Sequence, residues 1–151
     1  MKKNTFSKKK LERGQSLVEL ALSLTVILLL LSGAVTFGMA YFSFLSINDA
    51  AQEGATYGSL KPDDQAGIRN RVREASNNPI DLTLLTDSQI PLSYNNSKEC
   101  QGFTGGVANT LTVSVNYSYQ VFMPFIGPVI GSNTIPLSAT TTVVILTPQC
   151  P

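Results

Sequence analysis

The sequence predicts an α+β fold in which one long N-terminal apolar helix crosses a membrane and continues into a small antiparallel sheet domain. Three observations predict it. An apolar run extends from Leu17 to Ile47 with no Lys or Arg and with Glu19 as its only carboxylate. Near the other end, Thr110 to Tyr119 alternates apolar and polar residues at the period of a strand with one buried and one wet face. Between them lies a polar segment punctuated by Pro62, Pro79 and Asn77-Asn78.

The chain has 151 residues and an overall charge of +1, which hides an asymmetry. Lys2, Lys3, Lys8, Lys9, Lys10 and Arg13 precede Gly14 against Glu12 alone, so the first 14 residues are strongly basic and the remainder is acidic. A nucleic-acid-binding chain would carry basic and aromatic residues into its folded part, and this one does not. A positive-inside topology signal accounts for the block better and places the N-terminus in the cytoplasm with the bulk of the chain outside.

The apolar run is long. As a helix, Leu17 to Ile47 extends about 46 Å, beyond the ~30 Å hydrocarbon core. A cleaved secretory signal has a shorter apolar segment followed by a small-x-small site, which Leu20 to Leu31 running into Ser32-Gly33-Ala34 imitates. The apolar character continues through Val35, Phe37, Met39, Tyr41, Phe42, Phe44 and Leu45, so an uncleaved anchor is favoured. Small residues recur at Ala34, Gly38, Ser46, Ala50, Gly54 and Gly58, with Ala51 and Ala55 alongside. Such spacing permits close backbone approach, against this chain's own domain or against another subunit. Glycine costs a helix about 1 kcal/mol relative to alanine, so packing at Gly54 is expected to compensate.

The helix is predicted to end near Ser59, before Leu60-Lys61-Pro62. Pro62-Asp63-Asp64 starts a second helix whose Arg69, Arg71 and Arg73 agree with the macrodipole and whose Ile68 and Val72 form a thin apolar stripe. The arginines read as a solvated face in preference to a phosphate or headgroup patch. Leu82 to Leu85 is a short strand or a loop, and Ile90 to Tyr94 a strand. Thr110 to Tyr119 points Leu111, Val113, Val115, Tyr117 and Tyr119 to one face. Val121 to Ile130, broken by Pro124, Gly127 and Pro128, reads as an apolar connection near the membrane or the sheet edge. Thr134 to Leu146 supplies the last strand, with Pro136 near its start, where a missing donor is tolerated.

Cys100 and Cys150 leave two readings, a bridge closing about 50 residues and contributing roughly 4 kcal/mol, or two free thiols. Catalytic chemistry finds little support. The chain has no histidine, so His-based triads and histidine metal sites are excluded. Asp63-Asp64, Asp81 and Asp87 carry no motif that places them in a cleft, and Gly105-Gly106 lacks the lysine and helix start of a phosphate loop. Asn95-Asn96-Ser97 and Asn116-Tyr117-Ser118 fit a glycosylation pattern that recurs by chance. The expectation is no enzyme, no cofactor, no metal and no small-molecule substrate.

Glu19 lies five residues beyond Gly14. If it sits at the headgroup boundary it snorkels to water; deeper in the bilayer it would cost roughly 2.5 to 3.5 kcal/mol. Three stretches read together carry more information: the leader junction Lys8-Lys9-Lys10-Leu11-Glu12-Arg13-Gly14-Gln15-Ser16-Leu17-Val18-Glu19, the exit Phe37-Gly38-Met39-Ala40-Tyr41-Phe42, and Asn48-Asp49-Ala50-Ala51-Gln52-Glu53-Gly54-Ala55-Thr56-Tyr57. In this order they resemble the TadE-like family, minor pseudopilins of the tight-adherence (Tad) pilus system, over residues 11 to 59. The family often has Arg after the Glu-Gly-Ala core, where this chain has Thr56.

That resemblance implies a pilin-like fold and cleavage between Gly14 and Gln15 by a membrane prepilin peptidase. It implies three regions: a leader over 1–14, a span with an extracytoplasmic extension over 15–59, and a small α+β domain over 60–151. Implied partners are the membrane, the peptidase, other pilin or pseudopilin subunits and Tad assembly proteins. Glu19 becomes the candidate registry charge, and Gly38, Ala50, Ala51, Glu53, Gly54, Ala55 and Gly58 the candidate helix-packing residues. The alternative is a membrane-anchored extracellular binding or adhesion module with no pilus role, using the loops Tyr94 to Gly106 and Phe122 to Ser132.

Overall fold

A computed structural model describes residues 8–95, 100–121 and 131–148, with side chains from Gly14 onward. It divides into two compact units, the helix through Phe37 and the chain from Gly38. Helix α1 spans Lys8–Leu60, so Gly14 and Gln15 are continuous with the apolar run and the end falls one residue beyond the expected position.

In the first unit every described residue from Gly14 to Ser32 is exposed, and no described residue covers this apolar stretch. Composition and length make it a candidate membrane span. From Gly14 onward, Ser43 is the first buried residue of α1. From there Ser43, Ile47, Ala50, Ala51, Gly54, Ala55, Gly58 and Ser59 form a buried stripe at three- and four-residue steps.

Asp64 caps the following helix, α2 (Gln65–Glu74): the Gly67 backbone N–H donates to Asp64 Oδ1 at 2.9 Å. Ile68 and Val72 are fully buried, as their spacing predicts. The helix ends at Glu74, short of Asn77-Asn78-Pro79. Leu82 to Leu85 settles as a turn closed by the Leu85 N–H donating to the Leu82 carbonyl, and both leucines turn into the core. A 3₁₀ turn, Asp87–Gln89, leads into β1 (Leu92–Tyr94).

The main sheet is antiparallel in the order β1-β4-β5, with β4 at Thr110–Gln120 and β5 at Thr134–Val144. Leu111, Val113, Val115 and Tyr119 are buried and Tyr117 half-buried, the face that the alternation predicts. On the wet face Thr112 pairs with Thr142 at 2.8 Å and Ser114 with Thr140 at 3.0 Å, hydroxyl to hydroxyl across the two strands. The flanking bonds, Ile145 N–H to Asn109 and Val121 N–H to Asn133, put the odd-numbered residues of β5 in hydrogen-bonded register with β4. Even-numbered Pro136 therefore sits on the free edge, where its missing N–H costs no ladder bond.

A two-stranded hairpin, β2 (Phe103–Thr104) and β3 (Val107–Ala108), turns on Gly105 and Gly106 at φ 61° and 83°. The carbonyls at the end of α1 are taken up by the C-terminal tail. Leu146 and Thr147 donate backbone N–H groups to the Ser59 carbonyl at 2.8 and 3.4 Å, and Thr147 Oγ1 donates to the Leu60 carbonyl at 2.6 Å. The expected connection over Val121 to Ile130 lies, apart from Val121, outside the described residues.

Candidate functional site: the anchor helix and its exit

Gly14, Gln15 and Glu19 sit on consecutive turns of α1, all exposed. A Cβ at Gly14 meets no heavy atom within 4 Å. Leu17, between them, and Leu20, Leu24, Leu28 and Leu31 beyond them are each more than half exposed, as are Phe37, Tyr41 and Phe42. Thr25 and Thr36 return their hydroxyls to the carbonyls of Ala21 and Ser32, four residues back, which removes two donors from this apolar surface.

The helix-packing candidates divide. Ala50, Ala51, Gly54, Ala55 and Gly58 lie in the buried stripe and are packed against this chain's own core. At Gly54 an added Cβ would fall 2.5 Å from Val72 Cγ2 and 3.6 Å from Val113 Cγ1; at Gly58 it would run into Leu111 and Ile68. The absence of a side chain is what lets α2 and β4 come this close. Gly38 is different, with nothing within 4 Å of its added Cβ. Glu53 also leaves the group. It is exposed and faces Arg71 at 3.9 Å, on a helix position pointing away from the stripe.

At the exit, the last turn of α1 is fastened to α2 by polar groups. Tyr57 donates to Asp64 Oδ2 at 2.8 Å. This bond raises the Tyr57 pKa, while the Gly67 N–H and then the Tyr57 hydroxyl lower that of Asp64. Arg71 and Lys61 lie over the Tyr57 ring, 5.4 and 5.7 Å from its centroid. Asp49, Glu53, Arg71, Glu74 and Ala75 line a shallow surface hollow beside it.

The arginines are neither a headgroup patch nor a merely solvated face. Arg73 Nε donates to the Leu85 carbonyl at 2.8 Å and its Nη2 bonds Asp87. Arg69 Nε donates to the Ile90 carbonyl at 3.3 Å, and its Nη1 lies 4.0 Å from Asp87. Together they clamp the 85–90 segment onto α2. Arg73 lowers the Asp87 pKa, with Arg69 adding to the effect.

Sequence reasoning also missed the polar posts of the distal loop. Asn109, 1% exposed, donates to the Cys100 carbonyl at 2.9 Å and accepts from Thr104 Oγ1 at 3.0 Å. Asn95 Nδ2 donates to the Ala108 carbonyl at 2.8 Å. The Gly105-Gly106 hairpin was missed as well, although two glycines between Phe-Thr and Val-Ala are the signal of a two-residue turn with positive φ at both centres. Cys100 is disulfide-bonded. Cys150, the other cysteine of the sequence, lies outside the described residues.

No curated protein and no solved structure matches this chain. The stretch that the leader junction, the exit and the small-residue stripe mark out does match a family: residues 14–56, from the junction glycine to the last turns of α1, fit the model of the TadE-like proteins.

Proposed function

We propose that this chain is a minor pseudopilin of a Tad-type pilus or secretion platform, made competent by cleavage between Gly14 and Gln15. Its anchor is α1, with the N-terminus in the cytoplasm and the domain from Ser43 onward outside. The observation that carries the reading is an apolar helix exposed on every side, bearing one carboxylate five residues past the junction glycine, within the TadE-like match.

Cleavage removes the basic block and creates an α-amino group at Gln15. Glu19 then has a cationic partner, its own amine or that of a neighbouring subunit, when the helix docks in an apolar bundle. Burying that charge without a partner is costly, so pairing with a neighbour's amine selects one longitudinal register between subunits. The protein works as an assembly part whose partners are the prepilin peptidase, other pilin-type subunits and Tad assembly proteins; it performs no catalysis.

N-terminal sequencing of the membrane-extracted protein tests the cleavage. A start at Gln15 supports the reading, and a start at Met1 or after Ala34 overturns it. Registry is tested by Glu19→Gln and Glu19→Ala: both are expected to be cleaved yet to lose co-purification with pilus components, and undiminished co-purification would refute that role.

A second reading, an anchored surface-binding module, is favoured by the exposure of Phe103 and Val107 on the β2-β3 hairpin, 77% and 60%. Phe103→Ser with Val107→Ser separates the two. It abolishes surface attachment in the second reading and leaves subunit co-purification intact in the first.

A further inference from the structure

The outer edge of the main sheet is long and unguarded. β5 has one neighbour in the sheet, β4, and its eleven residues pair with that strand in an unbroken register, with no bulge. Proteins ordinarily blunt an edge strand by shortness, a bulge, an edge proline or charged side chains, because its free N–H and C=O groups are a template for another strand. Of these devices β5 has only Pro136, near its start. Beyond Glu99 the sequence carries no charged residue, so neither β4 nor β5 offers a side chain that repels an incoming strand.

The register determines which backbone groups are open. Odd-numbered residues of β5 bond to β4, so the N–H and C=O groups of the even-numbered ones point outward. Thr134 uses both of its groups on the Ser132 hydroxyl, and Pro136 has no N–H to offer. From Ser138 through Thr140 and Thr142 to Val144 the row is complete, and among the described residues no backbone bond takes it up. These residues span about 20 Å, and each can exchange a pair of bonds with an antiparallel strand.

The two faces of β5 specify the side chains of that strand. Ser138, Thr140 and Thr142 are exposed on the wet face, where Thr140 and Thr142 already pair with Ser114 and Thr112. Leu137 and Val143, on the other face, are half-buried at the margin of the core. A strand added at this edge continues both surfaces when small polar residues, set beside the hydroxyl row, alternate with apolar ones set beside Leu137 and Val143. β4 has that alternation and meets the inner edge of β5 in this way. A second strand of its pattern fits the outer edge in the same register, with the even-numbered residues of β5 now in the hydrogen-bonded pairs.

We propose that the outer edge of β5, from Ser138 to Val144, is a strand-addition site that takes an uncharged, extended segment of a partner polypeptide, antiparallel and with the alternation of β4. The site lies wholly within the sheet, so it stands or falls independently of leader cleavage and of the reading of α1.

The probe is a fluorescein-labelled peptide with the β4 sequence, Thr110 to Gln120, added to the full chain in phosphatidylcholine nanodiscs. In the free protein, amide exchange is expected to alternate, fast at Ser138, Thr140, Thr142 and Val144 and slow at the odd-numbered residues between them. The peptide is expected to slow the four fast amides by about tenfold or more and to leave the slow ones unchanged. Thr140→Pro and Thr142→Pro each remove one outward N–H without touching the ladder to β4, as Pro136 does. Each is expected to weaken binding, read by fluorescence anisotropy, by about tenfold or more. Thr140→Val keeps its N–H and is expected to bind as the unaltered chain does, which separates backbone pairing from hydroxyl contact.

Even-numbered amides that stay fast with the peptide present overturn the proposal, as does equal binding of a scrambled peptide or full binding by the folded proline variants. Protection of the same amides in peptide-free protein, growing with protein concentration, also overturns it, because the edge is then closed by a second copy of this chain. Two proline variants are used so that misfolding of one leaves the other to decide.

Discussion

The Tyr57 hydroxyl donates to Asp64 Oδ2 while the Gly67 backbone N–H donates to Oδ1 of the same carboxylate. One side chain thereby caps α2 and ties it to the last turn of α1. Asp64 has a folded pKa below its usual value of about 3.9, so its contribution is complete above that value and is lost as pH falls through the lowered pKa. Tyr57 has a folded pKa above the usual value of about 10, so its contribution is complete below that value and is lost as pH rises through the raised one. Thermal melts of the nanodisc-embedded protein are expected to show a plateau that falls at both edges. Asp64→Ala lowers Tm on the plateau and flattens the acid edge; Tyr57→Phe flattens the alkaline edge.

Arg73 and Arg69 converge on Asp87 and on the carbonyls of Leu85 and Ile90, so the clamp is held by backbone as well as by charge. The lowered Asp87 pKa means that its share of stability is present above about pH 3.9 and disappears as pH falls through the lowered value. Asp87→Asn is expected to remove that acid sensitivity with a small loss of Tm at neutral pH, because Asp87 is a solvent-exposed partner. Arg73→Ala is expected to lose more, since the Leu85 carbonyl also goes unpaired. Hydrogen exchange at Leu85, Gln89 and Ile90, faster in Arg73→Ala than in Asp87→Asn, checks the order.

The long apolar helix was legible from the length of its uncharged run, and β4 from a two-residue period kept over ten residues that nothing in the domain overrides. Asp64 was readable as a helix start, and Ile68 and Val72 as its buried stripe, from local chemistry alone. The arginine clamp was not readable. Arg73 and Leu85 are twelve residues apart with a turn between them, and only the fold brings a carbonyl of that turn to the guanidinium. The small residues of α1 were legible as a close-packing row, but the sequence left their partner open between this chain and another subunit. Gly54 and Gly58 meet their own domain, and a Cβ at Gly38 meets none of the described residues.

Gly58 and Gly38 therefore respond differently to one substitution. Gly58→Val forces volume between Leu111 and Ile68, both fully buried, and is expected to destabilise the domain by about 1–3 kcal/mol. Gly38→Val has open space around it and is expected to leave the melting of the domain unchanged. Denaturant midpoints of the two variants in nanodiscs check this, and equal losses would mean that the stripe is not what holds α1 to the sheet.

The Cys100 linkage acts where two ends of the fold already meet. Gln101 donates its backbone N–H to the Pro148 carbonyl at 2.5 Å, and the residues just before Pro148 are bonded to Ser59 and Leu60. With only two cysteines in the chain, an intramolecular bridge from Cys100 runs to Cys150 and closes a loop of about 50 residues, a constraint of up to about 4 kcal/mol. Alkylation without reductant is expected to add no label to the intact mass, and alkylation after reduction to add two. Reduction is expected to lower Tm and to speed exchange at the Gln101 amide, while Leu146 stays protected by its own bond to Ser59. Two labels before reduction, or an unchanged Gln101 after it, would show that the tail is held by those backbone bonds alone.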